Sequence, residues 1–120
     1  MLHGKEEMER CVPEYIPRIV CLCGSTRFKD AFFEASWKFA LEGEIVLSVG
    51  VYRGDDLFDQ ETIDKLNELH LRKIDLADHV FVLNVGGYVG EGLKREIAYA
   101  EAHNKPISYL EPLEINNERL

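Results

Sequence analysis

Gly24-Ser25-Thr26-Arg27 puts a glycine, two hydroxyls and a guanidinium in four consecutive residues. The run follows an apolar stretch and precedes a helical pattern. Free backbone N–H groups and a helix dipole attract an anion at such a junction, and the hydroxyls add donors. Arg27 in a first helical turn opposes the dipole by itself; an anion held between the two reverses that. The plainer alternative is an N-capping Ser25 beside a solvated Arg27. Loop position and residue types together favour the anion. The run is neither a Walker A loop nor a G-x-G-x-x-G fingerprint.

A second cluster spans residues 86–92. Gly86, Gly87, Gly90 and Gly92 let a backbone approach a ligand closely, and Tyr88 offers an aromatic face to a base. Glu96 flanks the apolar stripe Leu93, Ile97 and Ala100, so it can look toward the same loops. Glu91 competes with it for a catalytic role, its bland alternative being an i,i+4 pair with Arg95. His70 lies on an apolar stripe between Leu66 and Ile74, where a satisfied core histidine and a proton carrier are both open readings. Asp55, Asp56 and Asp59 sit in a loop that could bind sugar hydroxyls, with Arg53 for phosphate. Asp75 and Asp78 precede a strand and suit caps or ion pairs at the opposite edge. Cys21 and Cys23 point the same way from an extended strand and read as packing. No further metal-ligating residue stands near them in sequence, so neither a metal nor a cofactor is expected.

These residues need a frame. Ile19 to Cys23 is a short apolar run ending at Gly24, suited to a strand buried on both faces. A helix is expected from Ser25 to about Leu41, with Phe28, Ala31, Phe32, Ala35, Phe39 and Ala40 on its apolar stripe and Gly43 just past its end. Strands are expected at 45–49, 80–85 and 107–110. Helices are expected at about 60–76 and 91–103. The second helix turns Ile63, Leu66, His70, Ile74 and Ala77 inward. The order β-α-β-α-β-α-β predicts a small doubly wound parallel sheet of four to five strands in a flavodoxin/Rossmann-like three-layer α/β/α fold. Ligands then bind outside the carboxyl ends of the strands. The loops after Cys23, Val49 and Val85 all leave that edge.

The whole chain is 120 residues, one domain by size. Residues 1–15 read as a flexible tail, 16–111 as the α/β domain and 112–120 as a polar tail. The net charge of -8 argues against a nucleic-acid polymer or anionic membrane as partner. No run has transmembrane length, and three cysteines fit a reducing interior, so a cytoplasmic protein is expected. A homodimer or higher homo-oligomer is expected, with Trp37 beside Phe33 as its candidate interface.

Taken in order, Leu22-Cys23-Gly24-Ser25-Thr26-Arg27, Ala77-Asp78 before an apolar strand, and Glu96-Ile97-Ala98-Tyr99-Ala100 resemble the nucleoside 2-deoxyribosyltransferase-like superfamily. That superfamily includes the 2′-deoxynucleoside 5′-phosphate N-hydrolases. The resemblance covers residues 18–110 and implies cleavage of an N-glycosidic bond in a nucleoside or nucleoside 5′-monophosphate. It implies Glu96 as nucleophile on the sugar C1′, forming a glycosyl-enzyme by retaining-glycosidase chemistry. It also implies a 5′-phosphate site at Gly24, Ser25 and Arg27, with His70 or Glu91 assisting the leaving base or water. The chain departs from the hydrolase pattern at several helpers. Cys21 stands where those enzymes carry a tyrosine, Phe28-Lys29-Asp30 replaces a glycine-rich basic stretch, a helix aspartate falls near His70 or Arg72, and Gly90 replaces a polar residue. The alternative is a non-catalytic nucleotide-binding sensor of the same fold; a protein-interaction domain that kept only the fold is a third.

Overall fold

The computed structural model describes residues 15–50 and 58–113. Within them the chain forms β1 (Ile19–Gly24), α1 (Lys29–Leu41), β2 (Ile45–Leu47), α2 (Gln60–Leu76), β3 (His79–Leu83), α3 (Glu91–Ala102) and β4 (Ile107–Tyr109), with a single 3-10 turn at Val85–Gly87. The strands make one sheet in the order β2-β1-β3-β4, and every pairing is parallel. This is the expected small doubly wound α/β fold, with four strands. The tails at 1–14 and 114–120, and Tyr52, Arg53, Asp55 and Asp56 in the 51–57 segment, lie outside the described residues.

Strand periodicity builds the two faces. Val20 and Leu22 of β1, with Phe81 and Leu83 of β3, pack on Phe32, Ala35 and Phe39 of α1. Cys21 and Cys23, with Val80 and Val82, pack on Ile74 and Ala77 of the α2 end and on Leu93 and Ala100 of α3. Helices therefore cover both sides of the sheet. Strand order reverses between β1 and β3, whose carboxyl ends are Gly24 and Leu83. The two strands meet tightly there: a Cβ on Gly24 would stand 3.0 Å from Leu83 Cβ.

Helix ends follow their sequence signals. Asp59 caps α2 by accepting from Thr62 N–H at 2.9 Å. Gly43, with φ +90°, follows α1 as a left-handed C′ residue. Asp78 serves the amino edge of the sheet, accepting from Ile19 N–H at 2.8 Å. Asp75 accepts from Tyr99 Oη at 2.7 Å and pairs with Arg72.

Three expectations are corrected. The first helix starts at Lys29 instead of Ser25, because residues 25–28 close a separate turn through Phe28 N–H to Ser25 C=O at 3.0 Å. Arg27 therefore precedes the helix, and Ser25 is not its N-cap; that position falls to Phe28 without a side-chain cap. The buried stripe narrows to Phe32, Ala35 and Phe39, leaving Ala40 exposed. β2 stops at Leu47, two residues early, and Lys73 Nζ donates to the next carbonyl, that of Ser48, at 2.6 Å. Among the described residues no helix is long and apolar enough to cross a membrane.

Candidate functional site

A cavity of about 250 Å³ opens at the carboxyl edge on the α2–α3 side of the sheet. Gly24 and Thr26 from the first loop and Val49 and Gly50 after β2 form one wall. Ile63, Leu66, His70 and Lys73 of α2 form another, and Gly92, Leu93 and Glu96 of α3 the third. Ile63, Leu66, His70 and Lys73 share a helix face because their spacings are three and four. The lining is chiefly apolar with a few convergent polar groups, the usual composition of a small-molecule site.

Glu96 is the sharpest feature of that cavity. Its side chain is 22% exposed, and its Oε1 is buried without a hydrogen-bond partner. The His70 Nε2 stands 3.8 Å from it, too far for a hydrogen bond and near enough for a strong charge interaction. A buried acceptor left unsatisfied costs about 1–3 kcal/mol, so this unpartnered carboxylate oxygen is held at the expense of stability. Burial raises the Glu96 pKa, partly offset by the His70 charge and the Cys23 thiol. Burial alone would lower that of His70, but the Cys21 hydrogen bond and the Glu96 and Cys21 charges outweigh it, and the net shift is upward. His70 therefore holds a proton to higher pH than a free imidazole, beside a carboxyl that loses its own late.

Beneath His70 lie the two cysteines of β1. Cys23 Sγ is 3.3 Å and Cys21 Sγ 3.8 Å from His70 Nε2. The thiols are coupled. A hydrogen bond from Cys23, opposed by burial and aided by His70, lowers the Cys21 pKa; the same bond and burial raise that of Cys23. Both cysteines are free and fully buried. Their neighbour was invisible along the chain, because His70 lies 47 residues beyond Cys23.

The expected site residues divide into those that reach the cavity and those that do not. Gly24, Thr26, His70 and Glu96 line it. Ser25 sits in the adjoining turn, its Oγ accepting from Arg27 N–H at 3.4 Å. Arg27 and Tyr88 come together from loops 61 residues apart: the guanidinium lies 4.6 Å from the Tyr88 ring centroid and donates to its Oη at 3.4 Å. Phe28 packs edge-on against the same ring at 6.0 Å. Gly86 and Gly87 form the tight turn after β3, where Gly86 N–H donates to Glu111 Oε2 at 2.8 Å. Gly90 sits beneath the Tyr88 hydroxyl. None of these glycines lines the cavity, whereas Gly92 does. Glu91 is exposed and pairs with Lys94 at 3.4 Å instead of Arg95. Asp55 is outside the described residues.

Gly92, the last glycine of the expected 86–92 cluster, lines the site, and Lys73 joins it without a signal of its own beyond the i+3 spacing from His70. Buried Asn84 also escaped notice. It exchanges two hydrogen bonds with the Glu111 backbone, at 3.0 and 2.9 Å, and ties the chain after β4 to the end of β3. No protein-family model matches the chain, and no curated protein matches it.

Proposed function

We propose that the chain is an N-glycosidase, or a deoxyribosyltransferase, acting on a nucleoside or nucleoside 5′-monophosphate with Glu96 as nucleophile. One observation carries most of the weight: the Glu96 side chain, 22% exposed, lines a cavity at the strand edge, and its buried Oε1 has no hydrogen-bond partner and lies 3.8 Å from a histidine. A carboxylate that lines a cavity is placed to attack an electrophilic carbon bound there. The sequence resemblance supplies the carbon, C1′ of a nucleoside sugar.

In the first step a Glu96 carboxylate oxygen bonds to C1′ as the C1′–N bond breaks, and the electron pair leaves on the base nitrogen. Protonated His70 gives its proton to that nitrogen, so the base leaves neutral and His70 becomes neutral. In the second step water, or another base, attacks C1′, the glutamyl ester breaks, and neutral His70 accepts the proton. The raised pKa of His70 suits the first role near neutral pH. Gly24 and Thr26 at the cavity wall, with Ser25 and Arg27 behind them, are a ready set of backbone, hydroxyl and guanidinium donors for a phosphate.

Chromatography of reactions with a panel of ribo- and deoxynucleosides and their monophosphates tests this. Release of free base that Glu96→Gln abolishes is the expected result. No release from any substrate overturns it. Tight nucleotide binding by calorimetry without release identifies the non-catalytic module instead.

A further inference from the structure

The cluster behind the cavity has the donor set of a metal centre. We propose that Cys21, Cys23 and His70 bind a thiophilic divalent cation of the zinc class, with its fourth coordination position turned toward Glu96 and the cavity. By sequence the two cysteines read as packing; the fold adds the ligand that the chain does not show.

Three observations carry the site. The first is geometry. The two Sγ atoms and His70 Nε2 all lie within 4.8 Å of one another. Tetrahedral zinc, with bonds of about 2.3 Å to sulfur and 2.0–2.1 Å to nitrogen, sets sulfur and nitrogen ligands roughly 3.6 Å apart and two sulfurs roughly 3.8 Å apart. The Cys23 and Cys21 distances to Nε2, 3.3 and 3.8 Å, bracket the first value. Small side-chain rotations would close the set. The second observation is the fixed placement of the ligands. Cys21 and Cys23 share one face of a central strand, paired on both sides, and His70 comes from the middle of a 17-residue helix packed on that face. Ligands held on regular elements keep their spacing, and little ordering remains to be done on binding. The third is charge. Binding takes both cysteines as thiolates and His70 as neutral imidazole, any protons they carry leaving to solvent, and the two thiolates cancel the charge of the ion. The buried centre is then neutral. Sulfur and imidazole donors also disfavour magnesium and calcium.

Three protein ligands with one open position are the arrangement of a zinc ion that meets a ligand or water from a cavity. Glu96 stands at that opening, its Oε1 3.8 Å from His70 Nε2. An ion on Nε2 takes the lone pair and the proton site that His70 would use in glycosidic chemistry, so the metal-loaded and metal-free chains are distinct functional states. Metal binding itself is independent of base release and is read separately.

The test uses the full chain carrying Cys11→Ser, reduced, stripped with chelator and titrated with Co²⁺ and then Zn²⁺. The expected result is one equivalent per chain, a thiolate-to-cobalt charge-transfer band in the near ultraviolet, and visible bands of tetrahedral intensity that Zn²⁺ displaces. Cys21→Ser, Cys23→Ser and His70→Asn should each weaken Zn²⁺ binding by about 100-fold or more, measured against a chromogenic chelator. A variant that fails to fold is replaced by a second measurement on the parent chain: Zn²⁺ should raise its melting temperature in proportion to the logarithm of free ion. A Co²⁺ spectrum without the charge-transfer band, or Zn²⁺ affinity unchanged in folded Cys21→Ser and Cys23→Ser chains, overturns the site and leaves the cysteines as packing.

Discussion

The two faces of the sheet share the same strands and differ in what they do. On the α1 side, Val20, Leu22, Phe32, Phe39, Phe81 and Leu83 make an apolar layer, with Phe39 and Phe81 edge to face at 5.1 Å. On the α2–α3 side, the same strands offer Cys21, Cys23, Val80 and Val82, and the helices add His70 and Glu96 at the carboxyl end. Alternate residues of β1 thus enter two chemistries. The first face stabilises; full burial of a phenylalanine or leucine is worth about 1.5–3 kcal/mol. The second gives up part of that gain, keeping a buried carboxylate oxygen unpartnered and a histidine over two thiols. A stable sheet can carry a costly cluster when one face is devoted to packing and the cost is confined to one end of the other.

This division can be broken by substitution. Glu96→Gln should abolish base release, by roughly 10³-fold or more as expected for loss of a nucleophile, with the fold intact by circular dichroism. Phe32→Ala on the apolar face should cost about 3–5 kcal/mol in urea unfolding, while any base release by the chain that remains folded is retained. His70→Gln should lower turnover by about 10²-fold or more, with a smaller effect on KM. If Phe32→Ala altered turnover as strongly as His70→Gln, the two faces would not be separable.

Smaller effects sharpen the contrast. Cys21→Val should change unfolding free energy by less than about 1.5 kcal/mol, since a buried free thiol is replaced by an apolar group of similar size, while removing any metal response. Glu96 also makes a signed pH prediction for the metal-free chain. Its folded pKa is raised, so the unfolded chain loses this proton at lower pH than the folded one. Stability from this group is therefore present below the unfolded pKa and falls as pH rises through the folded one. Melting curves at alkaline pH should show Glu96→Gln above the parent, the difference closing as pH drops below the ordinary carboxylate range. A lower melting point for Glu96→Gln at alkaline pH would mean that the carboxylate is a structural anchor.

Much of the frame was legible along the chain. Apolar runs of strand length, glycines past them and helical stripes located all seven elements, and their alternation implied a parallel, doubly wound sheet. The errors came where local turn chemistry outran periodicity. Residues 25–28 continue a helical pattern in sequence but close their own turn, so Arg27 leaves the helix and stacks on Tyr88. Glu91 and Glu96 looked alike as candidates. The first lies at the exposed start of α3, paired with Lys94, and the second one turn further on, facing His70. Trp37, 70% exposed, and Phe33, 49% exposed, stand on the outer side of α1, so Trp37 does not complete the core. They remain the expected interface of an oligomer, which a sedimentation measurement on Trp37→Glu would address.

The sequence by itself determined the alternation of elements, the edge at which ligands would bind, the place of His70 on an inward stripe and that of Glu96 beside one. Those properties depend on spacing within one strand or one helix, and short-range periodicity records them. Only the tertiary structure decided that His70 of α2, Glu96 of α3 and both cysteines of β1 meet at one point. That meeting depends on β3 crossing to the far side of β1, which packs α2 and α3 together over the central strand. Contacts across 26 to 49 residues are set by how layers pack, and no local pattern in the chain encodes them.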